Sequence, residues 1–155
     1  MTIPARLKSH LERAQVSYSP VTHIPTYSAQ YAAAVMHAPG KEVAKTVALR
    51  AGEKPILAVL PAPYHINLEK LAAVAGSPIR LFNEQECNEL LPDCEPGAIP
   101  PFGELYDLPV YLDKALTEDP EIIFSAGTRS DAIRMAQRDF LRLAKPYICS
   151  FAEKP

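Results

Sequence analysis

Prolines set the length of the structural elements in this chain. Sixteen prolines are spread along 155 residues. Each one fixes its own φ angle and removes a backbone donor, so it tends to end a helix or lie at the edge of a strand. The chain is therefore expected to fold as many short elements. Its length suits a single domain that spans residues 1–155 and buries a core without help from metals or disulfides.

Hydrophobic periodicity and capping residues place these elements. The predicted helices are a first one that ends near Gln15, then "SAQYAAAVMHAPG", "LEKLAAVAG" and "EQECNELL". The predicted strands are "VSYSPVTH", "EVAKTVALRAG", "KPILAVLPA", "PIRLF", "PVYLD" and "EIIFSAG". Gly52 separates the second and third strands and predicts a hairpin. Short strands mixed with helices, without a regular βαβ rhythm, favour an α+β domain around a mixed sheet.

The segment "SDAIRMAQRDFLRLAKP" allows two interpretations. Its spacing is compatible with one long helix, which would align Arg134, Arg138 and Arg142 on one face. Such a charged face is usually solvated, although it could also meet a phosphate backbone. Alternatively, Asp139 caps a shorter helix that follows a strand.

Charge and cysteine content limit the function classes. The formal net charge is −2, which argues against a protein that wraps long nucleic acids. The three cysteines include no CxxC pair, so neither a disulfide framework nor a metal site is expected. No apolar run is long enough for a signal peptide or a membrane span. We therefore expect a cytoplasmic protein that needs no cofactor and does not bind membranes.

One lysine interrupts an apolar strand face. Side chains alternate between faces along a strand, so Lys45 shares its face with Val43, Val47 and Leu49. An ammonium group that faces a core is costly unless it is paired or reaches a cleft. Lys45 is therefore either paired with a carboxylate or kept for an anionic ligand.

The stretch "CEPGAIPPFGELYD" fixes its backbone unusually tightly. Gly97 permits angles that other residues avoid, while Pro100 and Pro101 fix φ and remove two amide donors. Such a loop can aim its carbonyls and remaining amides at a reacting group. A rigid connector is the plainer interpretation of the same residues.

Two weaker candidates complete the list. A strand that ends in "SAGT" offers amides and hydroxyls from Ser125 to Thr128, which could hold an anion or a ribose. His23 lies at a strand end and could face a cleft, although a surface or capping role is the commoner one for such a histidine. No nucleophile elbow, P-loop, dinucleotide fingerprint or paired carboxylate motif is present.

Taken in order, "GKEVAKTVALR", "CEPGAIPPFG" and "EIIFSAGT" resemble the YbaK family of aminoacyl-tRNA deacylases, which includes the editing domain inserted into bacterial prolyl-tRNA synthetases. The resemblance runs from about "HIPTYSAQ" to "DFLRLAKP". It implies a mixed, barrel-like sheet surrounded by helices, with a strand at "AIRMA". It also implies hydrolysis of the ester that links a wrong amino acid to the 3′ end of a tRNA.

The resemblance also implies roles for individual residues. Lys45 matches the family lysine that holds the phosphate or ribose of the terminal adenosine. Gly97 begins the GxxxP loop that orients the attacking water. The residues implied to contact the substrate are His23, Tyr27, Thr46, Ala98, Ile99, Pro100, Pro101, Phe102, Gly103, Ser125, Gly127 and Thr128. Many members carry a histidine soon after the late glycine, where this chain has Thr128, Arg129 and Ser130.

Three hypotheses follow from the sequence. The first is a free-standing deacylase for mischarged aminoacyl-tRNA that contacts the acceptor end, with an aminoacyl-tRNA synthetase as a further candidate partner. The second is a module on the same fold that binds tRNA or a synthetase without turnover. The third is a hydrolase of another small ester.

Overall fold

A computed structural model describes residues 2–26, 28–36, 39 and 41–155. Its helices are α1 (Ala5–Ala14), α2 (Ala29–Val35), α3 (Leu68–Ala75), α4 (Glu84–Leu90) and α5 (Gln137–Ala144). Short 3₁₀ turns cover Gly103–Tyr106 and Lys114–Glu118. The candidate residue Tyr27 lies outside the described residues.

The strands are β1 (Tyr18–Thr22), β2 (Ala44–Ala51), β3 (Lys54–Pro61), β4 (His65–Ile66), β5 (Ile79–Leu81), β6 (Val110–Asp113), β7 (Glu121–Ser125), β8 (Asp131–Ala136), β9 (Tyr147–Cys149) and β10 (Ala152–Glu153). A five-stranded sheet has the order β5-β2-β3-β6-β9, and a three-stranded sheet has the order β1-β8-β7. Strand β4 pairs with β10. The predicted hairpin is confirmed, because β2 and β3 pair antiparallel up to Ala51 and Lys54.

Parallel and antiparallel pairs occur together in the larger sheet. Strand β6 is parallel to both β3 and β9, whereas β2 is antiparallel to β3 and β5. The predicted mixed α+β fold is thus confirmed. Within the described ranges, however, none of the sheets closes on itself, so the barrel-like closure is not confirmed.

The central core lies between the two larger sheets. It includes Ala44 and Ala48 of β2 together with Phe124 of β7 and Ile133 of β8. The opposite face of β2 contributes Leu49 to a second cluster under α3 and the C-terminal segment. Strand β2 is therefore covered on both faces, and its odd-numbered residues point away from the central core.

A third cluster joins the outer faces of the two sheets. Val43, at the entrance to β2, packs with Ile123 of β7 and with Ala29 and Ala33 of α2. The short helix α2 thus lies across the place where the two sheets meet.

The single long helix considered for residues 130–146 is wrong. Asp131–Ala136 forms strand β8, which pairs with both β1 and β7, and α5 begins at Gln137. Asp139 lies in the first turn of α5 and is not its cap, which is Ala136. Burial of alternate residues such as Ile133 and Met135 in the central core outweighs the helical spacing of the arginines.

The helices found in the described ranges are all too short to cross a bilayer, and none is a candidate membrane span.

Candidate active site

Strands β2 and β7 meet at one point and then separate. Val43 and Ile123 form an isolated parallel bridge, and the Ile123 amide donates to the Glu42 carbonyl at 3.0 Å. Both side chains point into the cluster under α2. Lys45 and Ser125 each lie two residues further along, roughly 7 Å from the bridge, and alternation gives them the same facing as Val43 and Ile123. They therefore border the opening between the two strands.

The Lys45 ammonium group is partly desolvated. Burial lowers the pKa of this amine below its ordinary value of 10.5. Among the described residues, no carboxylate pairs with it and no group hydrogen-bonds it. Of the two alternatives left open by the sequence, an ammonium group kept for an anionic ligand is thus the one consistent with the described contacts.

Gly97 occupies the second corner of a type II β-turn. The Ala98 amide donates to the Glu95 carbonyl at 3.0 Å, Pro96 is the first corner residue, and Gly97 has φ +79°. A type II turn requires positive φ at this position, which explains the Pro-Gly pair. Gly97 is exposed, and no described residue accepts a hydrogen bond from its amide. That amide is therefore available to a bound group.

Residues 126–130 connect β7 to β8 and are called the late turn here. The Gly97 turn is attached at both of its ends to this late turn. The Glu95 amide donates to the Gly127 carbonyl at 2.8 Å, and the Gly127 amide donates to the Ala98 carbonyl at 2.9 Å. Gly127 has φ +90°, and a Cβ atom there would lie 2.4 Å from Cδ of Pro4. The two turns thus form one unit that packs against the N-terminal segment.

The hydroxyl groups of Thr128 and Ser125 differ in their hydrogen bonding. The buried Thr128 hydroxyl donates to Oδ2 of Asp131 at 2.6 Å and accepts from the Ser130 amide at 3.2 Å. Its hydrogen bonds thus stabilise the turn itself. Ser125 is half-buried, and no described residue hydrogen-bonds its hydroxyl. Ser125 is therefore better placed than Thr128 to meet a ligand.

His23 lies beside the late turn. Its amide donates to the Ser130 carbonyl at 2.9 Å, and Nδ1 of its ring donates to the Ile24 carbonyl at 2.7 Å. Three residues later, the Thr26 amide donates to the Arg129 carbonyl at 2.9 Å. The segment between β1 and α2 is therefore held against the late turn by its backbone.

The rest of the proline-rich loop anchors the Gly97 turn in the core. Residues 98–103 are all buried. The Phe102 ring meets the rings of Phe124 and Phe140 at centroid distances of 5.3 and 5.5 Å. A Cβ atom on Gly103 would lie 1.9 Å from the Leu108 carbonyl oxygen, so only glycine fits there. These side chains support the turn from beneath.

Thr46 points away from Lys45. It shares the face of Ala44 and Ala48, which pack in the central core. Its hydroxyl is buried without a hydrogen-bond partner among the described residues. The structure therefore does not bring the Thr46 side chain to the face of β2 that carries Lys45.

Sequence reasoning missed a charged contact between the two turns. Oε1 of Glu95 accepts from the Arg129 amide at 3.3 Å, and its Oε2 lies 3.5 Å from Nη1 of Arg129. The available signal was an acidic residue directly before a Pro-Gly turn. Its partner lies 34 residues later, so only the fold identifies it.

The thiols near the loop are not activated. Burial raises the pKa of Cys94 to about 11, and burial also raises the pKa of Cys87. Both cysteines line a small cleft of about 70 Å³ behind Gly97. Neither thiol has the low pKa of a nucleophilic cysteine.

Comparison with known proteins gives concordant matches. The profile of a family described as the aminoacyl-tRNA editing domain matches residues 23–143. The multifunctional Ser/Thr-tRNA deacylase ProXp-y of Escherichia coli K12 is 35% identical over 98 residues. That alignment covers 62% of this chain and 58% of the length of the relative.

Solved structures share the fold. One described as a proposed trans-editing enzyme for prolyl tRNA synthetase superposes with a TM-score of 0.83 at 24% identity, over 96% of this chain and 95% of that one. The hypothetical protein APE2540 gives a TM-score of 0.85 at 18% identity, over 96% and 99% of the two chains.

Proposed function

This chain belongs to the aminoacyl-tRNA editing domain family, and from this membership we propose that it hydrolyses the ester of a mischarged aminoacyl-tRNA. In this proposal, residues 1–155 act as one editing domain. The carrying observation is that Lys45 and Ser125 lie two residues beyond the bridge between β2 and β7, and that the Gly97 turn is hydrogen-bonded to Gly127, two residues after Ser125. Family membership supports the proposed substrate class, and this arrangement supports the proposed place where the substrate binds.

The proposed binding mode assigns one task to each side of the opening. The partly desolvated Lys45 ammonium group holds a phosphate or ribose oxygen of the terminal adenosine. Ser125 contributes a hydroxyl to the same nucleotide. His23, Ala98 and Gly127 border the opening mainly through their backbones, while the side chains of residues 99–103 keep the turn in place.

The proposed chemistry needs only positioning and charge stabilisation. An aminoacyl ester is already activated, and water attacks its carbonyl carbon. The exposed Gly97 amide donates to the oxygen on which negative charge develops, and adjacent carbonyls orient the water. The neighbouring ribose hydroxyl of the substrate assists proton transfer. Cleavage of the carbon–oxygen bond then releases the free amino acid and the tRNA.

The proposed substrate carries a small amino acid. The similar Escherichia coli protein is named as a Ser/Thr-tRNA deacylase, and a structural neighbour is described as a proposed trans-editing enzyme for prolyl tRNA synthetase. We therefore place serine and threonine first, followed by alanine and cysteine. We also propose an aminoacyl-tRNA synthetase as a partner and the cytoplasm as the place of the reaction.

A deacylation panel tests this function. Purified protein is mixed with alanyl-, seryl-, threonyl- and cysteinyl-esters on several tRNAs, including tRNA for proline, and release of the amino acid is followed. We expect turnover of at least one ester well above spontaneous hydrolysis. Tight binding of uncharged tRNA without turnover would instead indicate a binding module. Hydrolysis of free amino-acid esters that is insensitive to added tRNA would indicate a small-ester hydrolase.

A further inference from the structure

Glu95 joins three segments around the candidate site. Its amide donates to the Gly127 carbonyl and its carbonyl accepts from the Ala98 amide, while its carboxylate accepts from the amide and the guanidinium of Arg129. The Arg129 carbonyl in turn accepts from the Thr26 amide at 2.9 Å, just before α2. Glu95 and Arg129 thus link the Gly97 turn, the late turn and the segment around Thr26 that precedes α2.

The Glu95–Arg129 ion pair is partly shielded from solvent, so it can help to fix the two turns relative to each other. The two side chains are 27% and 28% exposed, whereas those of the Lys41–Glu118 ion pair are 49% and 58% exposed. One of the two contacts joins the carboxylate to a backbone amide, so it fixes the position of main chain as well as of a side chain. Rotation of the Gly97 turn relative to the late turn would break both contacts.

We propose that the Glu95 carboxylate is a positioning group that sets the direction of the Gly97 amide relative to Lys45 and Ser125. This inference rests on the proposed function, because it names a determinant of the same site. Glu95 directly precedes the corner residues Pro96 and Gly97, and the partners that its carboxylate has among the described residues are the amide and guanidinium of Arg129. It acts through the two turns, and a small rotation of such a donor is sufficient to slow a reaction severely.

Two substitutions of Glu95 distinguish the effect of its carboxylate from the effect of its backbone hydrogen bonds. In Glu95→Ala the amide and carbonyl of residue 95 remain, and both contacts to Arg129 are lost. In Glu95→Gln the side-chain oxygen still accepts from the Arg129 amide. Glu104→Ala is the matched control, because Glu104 is an exposed glutamate of the same loop and its loss changes the charge equally.

The kinetic test compares kcat and KM for deacylation. We expect kcat of Glu95→Ala to fall at least about 10-fold with KM within about twofold, and Glu95→Gln to recover most of the loss. Glu104→Ala should match the wild type. A Glu95→Ala enzyme with unchanged kcat would overturn the proposal. A change confined to KM would also overturn it, since that would indicate direct substrate contact.

Amide hydrogen exchange tests the same proposal without substrate. In Glu95→Ala, the amides of Ala98, Gly127 and Arg129 should exchange faster than in the wild type, while core amides of β3 keep their protection. Unchanged exchange at all three amides would refute the positioning role. If the wild type deacylates nothing, the proposed function fails, and the exchange comparison alone decides whether Glu95 fixes the turns.

Discussion

Lys45 combines a cost in stability with a role in binding. Its amine is partly buried, and its folded-state pKa is lowered, so the unfolded chain binds more protons in the pH window below 10.5. The free energy of unfolding therefore rises with pH across that window. At pH 7 the charged form destabilises the folded protein, a cost that is expected where a residue serves a ligand.

Replacement of Lys45 by methionine should lower activity without lowering stability. We expect kcat/KM of Lys45→Met to fall at least about 100-fold, because a charged contact made in a desolvated place is lost. The melting temperature at pH 7 should equal or exceed that of the wild type, and the difference should shrink as the pH approaches 10.5. Deacylation rates and thermal unfolding between pH 7 and pH 10 check both effects.

Lys54→Met is the control for this experiment. Lys54 is an exposed lysine at the other end of the same hairpin, so the charge change is the same. It should leave kcat/KM unchanged. A Lys45→Met enzyme that melts well below the wild type would contradict the unpaired state of the lysine.

Gly97 and Gly76 form a natural pair for a second test. Their φ angles are +79° and +77°, and both are exposed. Alanine at either position should cost about 1–2 kcal/mol of stability, because L residues are strained at positive φ. Only Gly97→Ala should also reduce kcat, by about 10-fold or more, since its amide direction matters for the reaction. Chemical denaturation and deacylation kinetics measure the two effects, and equal activity of both variants would remove Gly97 from the proposed mechanism.

The residue scale shows where sequence reasoning succeeds. Strand alternation was enough to place Lys45 on the same face of β2 as Val47 and Leu49, because that property is local. The internal bonding of Thr128 was not predictable, since it depends on how the late turn folds back onto Asp131. The Glu95–Arg129 contact depends on two segments that are distant in sequence.

At the scale of elements, junctions were harder to predict than the elements themselves. The hairpin of β2 and β3 followed from alternation and Gly52, and α3 forms within the predicted helical segment "LEKLAAVAG". Helical spacing failed for β8, because pairing with β1 and β7 decides its conformation. The opening between β2 and β7 is likewise a product of sheet assembly.

Glu86 connects three elements on the side of β2 that is remote from Lys45. Its carboxylate accepts from Arg80 at 2.8 and 3.0 Å and from Arg50, and its side chain accepts from the Asn83 amide, which completes a capping box on α4. The hydrogen bonds from Arg80 and then Arg50 lower the pKa of Glu86 to about 2. Strands β2 and β5 are thereby tied to α4.

The lowered pKa of Glu86 predicts that the stability of the protein decreases at acidic pH. The stabilisation by Glu86 should be complete above about pH 4.5 and should be lost as the pH falls toward 2, because protonation breaks the contacts with both arginines. Glu86→Gln should therefore melt below the wild type at pH 7, and the difference should disappear near pH 2. Melting curves across this range measure the difference. Glu89→Gln, on the same helix, should show little difference at any pH.

At the scale of the whole molecule, the charge balance limits how a tRNA is held. The formal net charge is −2, and Lys45 is the proposed cationic contact at the opening. Counterion release makes affinity fall with salt in proportion to the number of phosphates contacted. A protein that holds only the acceptor end should therefore make few such contacts.

Salt dependence and substrate length together test this limited contact. With about two phosphate contacts to a single strand, kcat/KM should fall less than about 10-fold between 50 and 200 mM salt, whereas six or more contacts to a duplex would cost on the order of 10³-fold. An aminoacylated acceptor-stem minihelix should be hydrolysed nearly as efficiently as the full tRNA. Spontaneous ester hydrolysis at each salt concentration is subtracted as the control. A steep salt dependence with a poor minihelix substrate would mean that the tRNA body lies on a wider surface of the protein, because only additional phosphate contacts produce both effects at once.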